Sequence, residues 1–319
     1  MYKYSALALK YSPYQPLKSI FMSISLVSLP QQYRHIERRK QSGLSLIELL
    51  VGLSIGLLTI AVAMGALMTS RSVTATVTDS SQLQQQSAYA FRVFAQQLRQ
   101  AGSMRLNLAA QKNKDAAIDI TDPVAFETKA EGFDPMLDIL NGNDEPDADE
   151  FRLTVGYRNY TEQLHIATAA NKQASLLRDC LGESGSATRI QSHFVLRNNE
   201  LLCAGVGNAQ PIVDNVANFQ TRYLLQTTPH GDPKMQYVNA AAVGDQWNNV
   251  FAIEVCLVLY GNDVIDMPAG SSYLDCPTAD GSIAEIDMTT LDAPRTRRVH
   301  KTFRTVFQLR SQGLLQASN

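Results

Sequence analysis

The sequence predicts an α+β protein in which one long N-terminal α-helix packs on an antiparallel β-sheet head. Three observations carry this reading. Residues 49–68, LLVGLSIGLLTIAVAMGALM, run without a charge. Apolar residues keep a helical spacing beyond that run as far as Gly102. From Phe151 onward the pattern changes to short stretches rich in Val, Phe, Tyr and Leu, several of them alternating. With 319 residues, 45% of them apolar, the chain can bury a substantial core, which excludes disorder and a disulfide mini-protein. A net charge of -2 gives no support to a nucleic-acid binder held by a global positive field.

The N-terminal region comes first. Residues 1–43 hold Lys3, Lys10, Lys18, Arg34, Arg38, Arg39 and Lys40 against Glu37, a balance of +6 that leaves -8 for the remainder. The apolar run that follows matches the roughly 30 Å hydrocarbon core at about 1.5 Å per residue. Its basic flank predicts a cytoplasmic N-terminus in the inner membrane, with the rest of the chain on the far side. A secretory signal peptide has its small-residue cleavage site after the apolar run, whereas Gly43 stands before it. Glu48, inside the apolar stretch, costs about 2.5–3.5 kcal/mol on insertion scales, which marks it as functional. An earlier apolar run, residues 20–29, is followed by no Ala-x-Ala-like site, and a start at Met22 would give a shorter leader.

Residues 38–50, Arg-Arg-Lys-Gln-Ser-Gly-Leu-Ser-Leu-Ile-Glu-Leu-Leu, resemble the prepilin leader of type IV pilins and type II secretion pseudopilins. In that family a basic leader ends in Gly, and Glu is the fifth residue after the cut. The resemblance implies a type IV pilin-like fold, cleavage between Gly43 and Leu44 by a membrane aspartyl prepilin peptidase, and N-methylation of Leu44. Leu44 stands where the family usually has Phe. Cleavage creates an ammonium in lipid, and Glu48 of a neighbouring subunit is expected to pair with it and set filament register. Gly52 with Gly56, and Ala61 with Gly65, form small-xxx-small pairs that permit close helix approach.

Past Met68, Val73, Val77, Ala88, Phe91, Ala95 and Leu98 continue the helical spacing while glutamines and arginines mostly fill other faces. One helix over residues 45–101 is expected, about 85 Å long. Thr74, Thr76, Thr78, Ser80 and Ser81 weaken its middle and predict a bend or fraying there. Residues 86–102, Gln-Ser-Ala-Tyr-Ala-Phe-Arg-Val-Phe-Ala-Gln-Gln-Leu-Arg-Gln-Ala-Gly, are similar to the segment of PilW-type minor pilins that ends in Leu-Arg-x-Ala-Gly. The likeness is specific over residues 38–102 and diffuse thereafter. The organisation expected is a cleaved leader at 1–43, a transmembrane or filament-core half-helix at 44–68, an amphipathic half at 69–102, and a β-rich head at 103–319.

Residues 141–150, Asn-Gly-Asn-Asp-Glu-Pro-Asp-Ala-Asp-Glu, crowd oxygen ligands of the kind calcium takes. They lack the Asp-x-Asp-x-Asp-Gly grammar, so a solvated acidic turn before a strand is expected. Candidate strands are residues 151–157, 163–167, 193–197, 200–203, 218–226, 250–260 and 299–310. Asn198-Asn199 fits a tight hairpin turn. Residues 250–260 are nearly continuously apolar, as expected of a central strand covered by the long helix. Trp247, the single tryptophan, is expected to plug the core at the sheet rim. Asp179-Cys180-Leu181-Gly182, Leu202-Cys203-Ala204-Gly205 and Trp247-Asn248-Asn249-Val250 each resemble PilW-type head segments, individually weakly.

Cys180, Cys203, Cys256 and Cys276 all lie beyond the apolar run, on the side expected to be oxidising. Four cysteines allow three connectivities. Cys180 and Cys203 flank a candidate hairpin, and Cys256 and Cys276 close a short loop, which favours sequential pairing. Their spacings lack zinc grammar, and neither a metal nor a cofactor is expected. His35, His165, His193, His230 and His300 form no His-Glu-x-x-His, and 182–186 is no Gly-x-Ser-x-Gly elbow, so no catalytic constellation is found. Arg295, Arg297, Arg298, His300, Lys301 and Arg304 form a basic cluster. Arg298, His300 and Arg304 share one parity, which reads as the solvated face of a strand, and DNA is not expected as a direct ligand.

The resemblance implies a non-enzymatic minor type IV pilin that primes pilus assembly and lies at or near the pilus tip, supporting twitching, adhesion or DNA uptake. Its implied partners are the prepilin peptidase, other minor pilins, the major pilin, a tip adhesin and the inner membrane. The rival readings are a J-class minor pseudopilin of type II secretion and a membrane-anchored periplasmic enzyme or binding domain.

Overall fold

The computed structural model describes residues 43, 45–103, 106–107, 125–126, 132–134, 137–163, 173–175, 177–185, 188–227 and 232–309. The leader through residue 42, Leu44, His165 and His230 lie outside the described residues, as does most of the strand expected at 163–167. The described chain falls into two units divided between Thr59 and Ile60, inside helix α1 (Leu46–Gln100).

Helix α1 follows the predicted bounds to within a residue. It runs unbroken where a bend was expected. Thr74 returns its hydroxyl to the Ser70 carbonyl at 2.8 Å, so this β-branched stretch satisfies its own polar groups without leaving the helix. In the second unit, Leu83, Ala90, Phe94, Leu98 and Ala101 recur at helical spacing and are buried. The helix stops at Gly102, whose φ of 65° suits glycine, and whose N–H donates to the Gly156 carbonyl at 3.1 Å.

The head is built on two antiparallel sheets. In chain order its strands are β1 (Leu106–Asn107), β2 (Ala125–Phe126), β3 (Leu140–Gly142), β4 (Leu153–Arg158), β5 (Thr161–Gln163), β6 (Gln173–Ser175), β7 (Arg189–Arg197) and β8 (Glu200–Ala204). There follow β9 (Gln210–Val213), β10 (Val216–Thr227), β11 (Lys234–Val238), the short helix α2 (Ala240–Val243), β12 (Val250–Tyr260), β13 (Ser272–Leu274), β14 (Glu285–Asp287) and β15 (His300–Gln308). One sheet has the order β3-β4-β7-β8-β9 and the other β11-β10-β12-β15; β1 pairs with β2, β5 with β6, and β13 with β14. Asn198 and Asn199, both at positive φ, turn β7 into β8 as their sequence suggested.

Helix α1 joins the two sheets through Phe94, whose ring lies 4.5 Å from Phe194 of β7 and 5.6 Å from Phe219 of β10. On β12, Ile253, Val255, Leu257 and Leu259 face this common core. Cys256 and Val258 point to the opposite face, against Cys276 and Tyr273. The strand is apolar on both faces because both are covered. The helix supplies the expected cover, and the connection between β12 and β15 supplies a second, unforeseen one.

Candidate processing and assembly site

The N-terminal end of α1 is built by its first four residues. Gly43 is exposed, and Leu44 lies outside the described residues. Ser45 Oγ accepts the Ile47 N–H at 3.3 Å, while Glu48 Oε2 accepts the Ser45 N–H at 3.3 Å. Together they form a reciprocal cap that satisfies two amides the helix cannot. Glu48 thus has a local role that the sequence reading missed, although Ser-x-x-Glu before an apolar run signals it. Along the following turns Leu46, Leu50, Leu53, Leu57 and Leu58 are exposed. A Cβ added at Gly52, Gly56 or Gly65 would meet nothing within 4 Å. Helix α1 is long and apolar enough to cross a membrane.

Docking of α1 on the head begins at Asp79, the single charged residue between Arg71 and Arg92 and only 3% exposed. Its carboxylate accepts the N–H groups of Asn262 at 3.3 Å and Asp263 at 3.1 Å. Gly261 passes so close that a Cβ there would overlap the same carboxylate. Beside it, Lys301 donates to the Ser80 hydroxyl, and Asn262 Nδ2 reaches Gln82 Oε1 at 3.2 Å. Docking ends at Gln97, 1% exposed, whose Oε1 receives Ser192 Oγ at 3.0 Å and the Tyr157 hydroxyl at 2.9 Å. The Tyr157 hydroxyl also faces the Arg178 carbonyl, and burial, reinforced by Asp179, pushes its pKa up, so it stays a neutral donor.

The cysteines join in sequential pairs, Cys180 with Cys203 and Cys256 with Cys276. The first bridge unites two short phrases that were weak in isolation. Asp179 Oδ1 accepts Leu181 N–H at 2.9 Å and Glu183 N–H at 2.8 Å, and its Oδ2 accepts Val206 N–H at 2.8 Å. Gly205 is required because a Cβ would overlap that carboxylate. The Cys180 N–H donates to Ser192 Oγ at 3.1 Å, which links this corner back to Gln97.

The acidic turn at 141–150 is used internally. Asp144 accepts the N–H groups of Ala240 and Ala241 at 3.1 and 3.0 Å, and Glu150 Oε2 accepts Asn143 Nδ2 at 2.6 Å and Asp147 N–H at 3.1 Å. The turn walls a cavity of about 480 Å³ with Arg152, Val195 and Phe219. Burial lowers the pKa of Arg152, with Asp144 opposing, and the guanidinium donates to Gln220 Oε1 at 2.9 Å. Trp247 is half-buried against the core, edge-on to Tyr223 at 5.0 Å, a rim plug as expected.

The solvated-face reading of the basic cluster needs correction. His300 is 6% exposed, stacked on Tyr273 at 4.7 Å, with Nδ1 2.9 Å from the Arg298 carbonyl. Arg298 donates to the carbonyls of Gly261 and Asn262. Arg304 pairs with the buried Glu254 at 2.9 Å, as does Arg222 from the other side. Parity placed these groups on one face correctly; the connection between β12 and β15 covers the His300 end of that face, while Arg304, Val306 and Gln308 stay exposed.

Compared with known families, residues 38–64 match the prokaryotic N-terminal methylation motif, and residues 183–311 match Type IV Pilus-assembly protein W. Residues 183–311 are thus similar to the W family of type IV pilus-assembly proteins, behind an N-terminal methylation motif. The methylation match spans Gly43, Leu44 and Glu48, and the W match spans Cys203, Trp247, Cys256 and Cys276. The head, whose likeness had been read as diffuse, therefore carries the match, while residues 86–102 lie outside both matched stretches. No curated protein matches the chain. Among solved structures it is similar to a type IV-like pilin from Thermus thermophilus, at 13% identity and a TM-score of 0.32, over 71% of this chain and 96% of that one. These two matches support a minor pilin role in pilus assembly and imply contact with pilus components and processing by a peptidase. Its leader and apolar helix fit a membrane-anchored pilin.

Proposed function

We propose that the chain primes pilus assembly from the inner membrane and sits at or near the pilus tip. In this reading the peptidase cuts between Gly43 and Leu44, and the new terminus at Leu44 is methylated. The basic flank at 34–40 holds the N-terminus in the cytoplasm before the cut. The apolar half of α1 waits in the bilayer and is then extracted into the filament with Glu48 as register and charge partner. The head supplies lateral contacts to other minor pilins and presents a tip adhesin.

One observation carries the reading: the first turns of α1 expose leucines and open glycines, while its last turns, beyond Asp79, are fastened to the head by buried polar groups. A helix of that composition needs lipid or other helices around its free turns. Deleting the gene and counting surface pili tests the proposal. Loss of pili and of twitching is expected, and normal piliation would refute priming. Mass spectrometry of the protein from peptidase-positive cells should find methylated Leu44 at the N-terminus; an intact leader would refute the processing step.

A further inference from the structure

We propose that the Cys180–Cys203 disulfide is a redox latch on helix docking, whose opening by an external dithiol frees the last turns of α1 while the four-stranded sheet stays closed. The inference concerns the head alone and stands whether or not the protein primes assembly.

The two bridges differ in access. Cys180 is partly exposed, whereas Cys203 is 0%, Cys256 1% and Cys276 4% exposed. Of the four cysteines, Cys180 is therefore the one a reagent in water approaches most readily. They differ also in what they hold. Cys256–Cys276 pins the β12–β15 connection to the sheet face turned away from α1. Cys180–Cys203 pins residues 177–185, which form no strand, to β8. That segment supplies the Arg178 carbonyl, within 3.4 Å of Gln97 Nε2, and the Cys180 N–H that positions Ser192 Oγ against Gln97 Oε1. Gln97 Oε1 keeps the Tyr157 and Ser192 hydroxyls without the segment, but its Nε2 loses the Arg178 carbonyl, and an amide left without that acceptor at the buried helix–sheet contact is disfavoured.

The chemistry is ordinary exchange. A thiolate of the dithiol attacks Cys180 Sγ, the Sγ–Sγ bond breaks, and Cys203 leaves as a thiolate that takes a proton from water. The reagent's second thiolate then attacks the reagent sulfur of the mixed disulfide, expelling Cys180 as a thiolate that takes a proton from water and leaving the reagent as an oxidised cyclic disulfide. Two electrons pass from the reagent to the protein. Reoxidation by a disulfide donor reverses both steps, so the last turns of the helix lock down only in a chain that has met an oxidising compartment.

The test uses the detergent-solubilised full chain titrated with dithiothreitol. Alkylation followed by peptide mass mapping should label Cys180 and Cys203 before Cys256 and Cys276. In the singly reduced protein, amides of residues 93–101 should exchange hydrogen about tenfold faster or more, while those of β12 keep their protection. Gln97→Leu should already exchange faster in that region when oxidised, and change by less than about twofold on reduction. Opening of Cys256–Cys276 first, unchanged exchange at 93–101, or equal acceleration in the helix and β12 would each overturn the latch. The last outcome would make the bridge a global stabiliser only.

Discussion

A methyl group at Gly205 would occupy the space taken by the Asp179 carboxylate, which collects three backbone N–H groups from both sides of a disulfide. Gly205→Ala is therefore expected to cost about 2–4 kcal/mol, through displaced hydrogen bonds rather than backbone strain. Gly182→Ala is the control, because its φ of 83° carries the strain but nothing lies within 4 Å of the added Cβ. It should cost only about 1 kcal/mol. Urea unfolding of both variants checks the difference. Histidines give the second expectation at this scale. Burial holds the pKa of His300 below its ordinary 6.5, with Arg295 lowering it further while the Arg298 carbonyl and Asp275 oppose. Burial, helped by Arg189, does the same for His193, which stacks on Phe151 at 4.7 Å. Both rings are neutral in the native head and take protons more readily when it unfolds. Their contribution is complete above the unfolded value and is lost as pH falls below it. The melting temperature should therefore drop between about pH 7 and pH 5, less steeply in His193→Gln/His300→Gln. An equal slope in that variant would show that other groups dominate.

At the scale of elements, β10, β12 and β15 are tied by one carboxylate, Glu254, its side chain 7% exposed, between Arg222 at 12% and Arg304 at 39%. Glu254→Gln should cost about 2–3 kcal/mol, mostly from leaving Arg222 buried without its counter-charge, since Arg304 can turn to water. Arg222→Met/Glu254→Leu should recover most of that loss, measured by the same unfolding experiment. The sequence shows why such a knot escaped notice. Helix α1 was legible because its period persists for dozens of residues and Glu48 is the sole charge in its first turns. Strand β12 was legible from an eleven-residue run in which only Glu254 is not apolar. Strands such as β9, β11, β13 and β14 are three to five residues long, too short to alternate convincingly. Parity reveals which side chains share a face but not what covers that face, so the buried His300 read as solvated along with the exposed Arg304. Asp79 and Gln97, the two ends of the helix dock, hid among polar residues of a helix surface. A lone acid in an otherwise uncharged stretch was a signal for the first; Gln97 offered none.

For the whole molecule, the division of labour along α1 separates what folding requires from what assembly requires. Gly102, Gly205 and Gly261 are needed within the chain, by a positive φ or by a carboxylate where a Cβ would be. Gly52 and Gly56 are not, since an added side chain there meets only open space. Exposed Leu46, Leu50, Leu53 and Leu57 share those turns, so the notch they flank is a surface for lipid or for another helix. Gly52→Leu/Gly56→Leu should consequently leave the melting temperature of the head within about 1 °C of the parent. The variant remains apolar enough to insert, and methylated Leu44 should still be found by mass spectrometry if the peptidase acts as proposed. Close helix approach, however, would be blocked by two branched side chains on one face. Surface pili counted by electron microscopy should fall about tenfold, the effect of losing about 1.4 kcal/mol at one helix contact. A full complement of pili would mean that these turns meet lipid or loosely packed helices throughout assembly. A lowered melting temperature would instead mean that the notch serves the fold of the single chain.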